Sequence, residues 1–477
     1  MARQWGWGGV RYTSRFGKSA VLAAASMLSL LAGSASAQSV HVPPIAYQEH
    51  VLKNGLHVVS VVDHSSPTVA VQVWYHVGSR NDPQERSGFA HLFEHLMFKS
   101  TLHMPAEQMD RLTEDVGGQN NAETSNDFTH YFEVVPSNYL NTLLWAEADR
   151  MANLKVDEAN FHSERAVVEE EYRQSVLSNP YGLLFNAMDA ESYAVHPYRR
   201  PTIGNIAELE ASTLPDVIAF HNTFYRPDNA TLMVMGDFDP KALEATVEKY
   251  FGDIPHPDTP VPVVDNTEPA RRADRTVTVT SPTAPLPALG MTWLIPPAKE
   301  QKDLVALEVA AALLGTGESS RLHQALVQDS GIATEVETEA DGRAGPGLFM
   351  VTAFLATGHQ PGEAEAVVRR QIAALASKAV PAAELDKVKT GLLTQAVSER
   401  QKAENLGFIL GNALVTEGSI ARANSDLEAL QAVSAEDVRR VVRRYLVDAH
   451  AVTIDYLPQH DAVASKTHGK TVKGAAR

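Results

Sequence analysis

The chain has 477 residues, 44% hydrophobic and 21% charged, a balance that excludes a disordered polyelectrolyte and suffices for two or more buried cores. A formal charge of -17 argues against binding nucleic acid or an anionic membrane surface. The absence of cysteine excludes disulfides, thiolate ligands and thiol nucleophiles.

In chain order, Arg3, Arg11, Arg15 and Lys18 precede an apolar run from Ala20 to Ala32, and Ala35-Ser36-Ala37 supplies a small-residue cleavage site. The pattern predicts a signal peptide over 1–37 and a periplasmic or secreted mature chain from Gln38. The run is shorter than the roughly 20 residues of a spanning helix, so no stable membrane insertion is expected. No Arg-Arg pair precedes it, which favours general secretion over the twin-arginine route. Cleavage would leave 37 basic against 58 acidic residues, a charge of -21.

The runs "HVVSVVDH" and "TVAVQVWYHVG" read as strands. "SGFAHLFEHLMF" follows, with Phe89, Leu92, Phe93, Leu96, Met97 and Phe98 covering nearly every side of a helix, so that helix should be buried. Yet it carries His91, Glu94 and His95. The two histidines are four residues apart, one helical turn on one face, a spacing suited to chelating one metal ion. Glu94 lies where its carboxylate could reach a metal-activated water without being a ligand, the H-x-x-E-H order. A pair of hydrogen-bonded core histidines is the alternative reading. A third ligand is needed, and the acidic stretch "FHSERAVVEEEYRQSV" offers Glu164 and Glu171, seven residues apart on one helix face. Glu169 and Glu170 point elsewhere.

From Asp253 to Pro287 the chain is rich in proline and polar residues and reads as a linker. "STLPDVIAFHNTFYRPDNATLMVMGD" and "SAEDVRRVVRRYLVDAHAVTIDY" match at a constant offset of 221 residues. Thr213 pairs with Ser434, Asp216 with Asp437, Phe224 with Tyr445, Ala230 with Ala451 and Met233 with Ile454, each copy reading as a capped helix followed by a strand. "LPALGMTWLIP" and "GLFMVTAFLA" read as strands, and 363–376 and 381–405 as long helices. The fold class is therefore α+β, with two homologous α/β-sandwich domains related by internal duplication. Their expected bounds are 38–255 and 286–460, joined by a linker over 256–285, with a tail over 461–477. "NAT" at Asn229 lies at a strand entry and is discounted as a glycosylation site, and "GTGESSR" reads as a helix start rather than a phosphate loop. His64, His76, His130 and His162 show no spacing for a second metal.

"HLFEH", the acidic "ERAVVEEE" whose last glutamate lies 76 residues beyond the second histidine, and the intervening "GGQNNAETSNDFTHY" resemble the pitrilysin/insulinase family of zinc peptidases, the inverzincins. The resemblance covers essentially the whole mature chain. It implies a zinc endopeptidase of unfolded peptides or oligopeptides, with one Zn2+ per chain on His91, His95 and Glu171 and with Glu94 as the general base. It implies an accessory catalytic role for Glu164 in orienting a ligand or the water, and a place for Phe98 in the pocket for the side chain after the cleaved bond. Asn121 and Ala122 match positions that contact an extended substrate, added as a strand at a sheet edge. Asp127, Thr129 and Tyr131 are expected to be structural.

The family's shorter members pair with a second chain to enclose a chamber. There an Arg-x6-Tyr segment of the second domain binds substrate and stabilises the oxyanion. In "LVQDSGIAT" Val327 and Thr334 occupy those positions. The implied partner is a homologous chain supplying the Arg/Tyr pair in a heterodimer. A non-catalytic assembly subunit of the same fold is the rival reading.

Overall fold

The computed structural model describes residues 42–459. The expected signal peptide and tail lie outside the described residues.

β1 (Gln48–Val51), β2 (His57–Val62), β3 (Thr68–Tyr75), β4 (Gln119–Thr124), β5 (Thr129–Pro136) and β6 (Ala230–Gly236) form one sheet in the order β1-β2-β6-β3-β5-β4. β7 (Arg275–Ser281), β8 (Ala288–Ile295), β9 (Ala333–Asp341), β10 (Gly347–Leu355) and β11 (Val452–Pro458) form the second in the order β7-β11-β8-β10-β9. In each sheet the last strand of the half returns to lie parallel to its first long strand, and every other pairing is antiparallel. His57 pairs with Thr231, and Arg275 with Val452. Thr231 and Val452 are themselves separated by the repeat offset. The helices before these strands start alike: Thr213 with Asp216, and Ser434 with Asp437, form reciprocal capping boxes that satisfy otherwise orphaned N–H groups.

One face of the first sheet packs on the helices Phe89–Leu96, Leu140–Asn153, Leu214–Phe224 and Pro240–Phe251. One face of the second packs on Gln301–Gly315, Pro361–Ser377, Ala382–Glu399 and Ala435–Val442. The opposite faces are covered by exchange. Leu184 and Met188, from the first-half helix Gly182–Ser192, pack on Ala288, Ile454 and Tyr456 of the second sheet. Leu406 and Leu410, from the second-half helix Ala403–Val415, pack on Trp74, Met233 and Met235 of the first. Gly407 and Gly411 let that helix approach: a Cβ at Gly411 would run into the Trp74 ring, and one at Gly407 into Gln72 and Met235. Burying a Leu or Met side chain is worth about 1.5–3 kcal/mol, so each half depends on the other to cover its sheet.

Two expectations change. The helix expected over 381–405 is two helices, Ala382–Glu399 and Ala403–Val415, because the chain must turn to carry the second onto the first sheet. The segment expected as linker, 256–285, contains β7, whose alternating Thr and Val pair along β11. Its irregular part is tied down. The Glu268 carboxylate accepts from the N–H groups of Ala194, Val195 and His196, and Arg271 donates to the carbonyls of Ser192 and Thr292. Asn229 is buried and donates to the Phe224 carbonyl, which leaves no room for a glycan.

Candidate metal centre

The helix Phe89–Leu96 is anchored at its start by Asp82, whose buried carboxylate accepts from the N–H of Gly88 at 2.7 Å and of Ala90 at 2.9 Å. Gly88 has φ 93°, a turn that suits glycine and brings the backbone against Ile203 and Gly204. Phe89 and Phe93 pack on Phe220. The helix is thereby fixed in the core with His91 and His95 facing the acidic helix Glu158–Tyr172.

His91 and His95 have ring centroids 4.9 Å apart and planes at 78°. His95 Nε2 lies 3.3 Å from Glu171 Oε2, and His91 Nε2 lies 3.8 Å from Glu171 Oε1. One ligand atom from each of the three residues lies within 4.8 Å of the others. His95 Nε2 and Glu171 Oε2 are buried, close and yet not in hydrogen-bonding alignment. Leaving such groups unpaired costs about 1–3 kcal/mol each. Two imidazoles and one carboxylate, converging with unpaired atoms, fit a zinc ion with an open fourth position.

The geometry also separates the two glutamates that sequence left as candidates. Glu171 meets both histidines. Glu164 lies on the other side of His95, its Oε2 3.8 Å from Nδ1, while its Oε1 takes Lys99 Nζ at 2.8 Å and Ser163 Oγ at 3.0 Å. Glu164 therefore suits an orienting role. Glu169 faces Arg165 and Arg173, and Glu170 faces Arg173 and Gln174, away from the centre.

Glu94 is buried and receives a 2.6 Å hydrogen bond from Thr124 Oγ1, at the end of β4. Burial pushes its carboxyl up to about 7, against the opposing pull of the Thr124 bond and His95. Burial pushes His91 down to about 4. Burial also disfavours charge on His95, but Glu164 and Glu171 outweigh it and raise the imidazole to about 9. Both glutamates are held below the usual carboxylate range by these partners in spite of burial.

Among the described residues β4 pairs only with β5, and its other edge carries no strand. Asn121 is exposed there, while Ala122 points into the core opposite Tyr131. Phe98 packs against Tyr131, and the Arg150 guanidinium lies 5.6 Å from the Phe98 ring. Tyr131 OH donates to the Phe93 carbonyl, Thr129 Oγ1 to the Val77 carbonyl, and Asp127 receives Tyr198 OH, Arg80 and the N–H of Ala344. Val327 packs partly buried on the second core, and Thr334 Oγ1 donates to the Phe354 carbonyl. Sequence reasoning missed Asp82, Lys99 and Thr124. Thr124 had a signal: it shares a strand face with Ala122 in the motif already singled out.

Residues 57–205 match the family described as Insulinase (Peptidase family M16), and residues 212–392 match the Peptidase M16 inactive domain. The zinc protease PqqE of Helicobacter pylori is 31% identical over 418 residues, which cover 86% of this chain and 93% of that protein. A probable mitochondrial-processing peptidase subunit beta of Arabidopsis thaliana is 25% identical over 410 residues, 83% of this chain and 76% of that one. The crystal structure of a protease from Helicobacter pylori superimposes with a TM-score of 0.84 at 28% identity, covering 87% of this chain and all (100%) of that one. A peptidase M16 inactive domain from Pseudomonas fluorescens shares the fold, with a TM-score of 0.76 at 17% identity over 87% of this chain and 98% of that one.

Proposed function

Because the chain belongs to the insulinase family of M16 peptidases, we propose that it is an exported zinc endopeptidase of unfolded peptides and oligopeptides. The observation that carries this reading is the convergence of His91, His95 and Glu171 beside a buried Glu94. His91, His95 and Glu171 would hold a zinc ion, which would supply Lewis acidity and lower the pKa of an attacking water. Glu94 takes the proton of that water and delivers it to the leaving amine, a role typically worth roughly 10²- to 10⁴-fold. Thr124 holds one carboxylate oxygen, so the other is free to face the reacting atoms. Burial keeps the Glu94 carboxyl near neutrality, where it can both accept and return a proton. The open edge of β4 takes the substrate as an added strand, which requires an extended and therefore unfolded segment.

The chain is further proposed to be the metal-bearing member of a heterodimer. Neither Val327 nor Thr334 offers the cationic or phenolic donor that an oxyanion site of this family requires, and a homologous exported chain with an Arg/Tyr pair would supply it. Metal content and peptide hydrolysis of the purified mature chain test the core reading. A chain that binds no zinc and cleaves no peptide, with or without such a partner, would favour the assembly-subunit reading instead.

A further inference from the structure

The first core buries a charged group that the proposed reaction does not use. Arg150, on the helix Leu140–Asn153, is 1% exposed, and Glu133 of β5 and Glu147 beside it are buried as completely. Arg150 Nη2 donates to Glu133 Oε1 at 3.0 Å and to Glu147 Oε1, and its Nε donates to Glu147 Oε2 at 3.2 Å. Burial, and then the neighbouring Glu147, push the Glu133 carboxyl up against the pull of Arg150, so the group holds a proton beside its ion pair. Stability does not account for this arrangement. Arg150 Nη1 and Glu133 Oε2 are buried without a hydrogen-bond partner, and apolar side chains of similar volume often stabilise a core at least as well as a buried ion cluster.

Arg150 also lies against two aromatic rings. Its guanidinium carbon stands 4.5 Å from the centroid of Tyr131 and 5.6 Å from that of Phe98. Both residues are tied to the last turn of the metal helix. Tyr131 OH donates to the Phe93 carbonyl at 3.1 Å, and the Phe98 N–H donates to the His95 carbonyl at 3.1 Å. Those two carbonyls belong to the residues on either side of Glu94. A planar guanidinium, locked by carboxylates from one strand and one helix, holds ring faces in a fixed place as a flexible aliphatic chain does not.

We propose that Arg150 is a positioning residue for the metal centre: fixed by Glu133 and Glu147, it sets Tyr131 and Phe98, and through them the helical turn that presents Glu94 and His95. The inference rests on the peptidase reading only for what that turn does in catalysis.

The test uses the full mature chain. Arg150→Met alone leaves two buried carboxylates without a cation and can unfold the protein. The triple variant Glu133→Leu/Glu147→Leu/Arg150→Met instead removes every charge at similar volume and should melt no lower than wild type. Its zinc Kd should nonetheless weaken by about 10- to 100-fold, its kcat should fall by roughly 10²-fold, and the visible spectrum of its cobalt-substituted form should change. A triple variant with the wild-type melting temperature, zinc Kd, cobalt spectrum and kcat overturns the proposal. If the triple variant does not fold, Arg150→Lys decides, because it keeps the cation and loses the plane: the same weakening supports the role, and wild-type values remove it. If wild type neither binds zinc nor cleaves peptides, the imidazole NMR resonances of His91 and His95 decide in the metal-free chain. Resonances displaced in these variants would keep the positioning role while the peptidase reading falls, and unchanged resonances would remove both.

Discussion

Thr124 Oγ1 donates to Glu94 Oε2 at 2.6 Å, joining the outer strand β4, proposed to take the substrate, to the carboxyl group proposed as the base. One end of this contact belongs to the strand that would hold the peptide, the other to the helix that carries both histidines. A displacement of the strand is therefore felt at the proposed base.

Replacing Thr124 with Val keeps the shape and removes the donor. Losing a hydrogen bond to a charged group typically costs about 1.5–3 kcal/mol, so kcat should fall by roughly 10- to 100-fold. Zinc content should be unchanged, because Thr124 touches no ligand. Unaltered kcat in Thr124→Val would show that Glu94 is oriented by other means.

Glu94→Gln should retain zinc while losing turnover, and Glu171→Gln should lose zinc, since among the described residues Glu171 is the carboxylate that faces both histidines. Atomic absorption beside peptide hydrolysis separates the two outcomes. Chelation should also lower the thermal midpoint of wild type and leave Glu171→Gln little changed, because a ligand at 100 times its Kd stabilises by about 2.7 kcal/mol.

Acid should destabilise the chain through His130. Its folded pKa of about 3 lies below the ordinary 6.5, so the unfolded chain takes up the proton first. Stability from this residue is complete above pH 6.5 and is lost as pH falls from there towards 3, at up to about 1.4 kcal/mol per pH unit. His130→Phe should keep the stacking on Trp74 and remove this dependence. Urea midpoints at pH 6.5 and 5 should therefore show wild type losing about 2 kcal/mol more than the variant, and equal losses would contradict the burial argument.

Gly411→Val should weaken the hold of one half on the other. The new side chain meets the Trp74 ring, and overpacking of this kind typically costs about 1–3 kcal/mol. Limited proteolysis near residues 400–402, followed by mass spectrometry, should report faster cleavage as the helix Ala403–Val415 detaches. A protease-resistant variant with the wild-type melting temperature would mean that the sheet face is covered without that helix.

The purified chain should bind zinc yet cleave peptides poorly until a homologous chain with an Arg-x6-Tyr segment is added. Losing one oxyanion donor typically costs roughly 10²- to 10³-fold, which sets the scale of the expected rise. Full activity of the single chain would place the oxyanion donors elsewhere.

His91, Glu94, His95 and the pair of candidate glutamates were legible in the sequence because helical spacing is local: residues four or seven apart share a face whatever surrounds them. The duplication was legible for the same reason, since capping boxes and strand alternation repeat at a fixed offset. Helical spacing by itself did not choose Glu171 over Glu164 as the third corner, a choice the sequence carried only through its family resemblance, because both lie on one helix face and their docking against Phe89–Leu96 decides which carboxylate meets which imidazole nitrogen. The Thr124 bond to Glu94, the Lys99 bond to Glu164, and the exchange of Gly182–Ser192 and Ala403–Val415 between sheets were not legible in the sequence. Each joins residues far apart in the chain or on different elements, through apolar faces that many arrangements could bury. Local pattern fixes which face a helix offers, and only the packing of the whole chain fixes what that face meets.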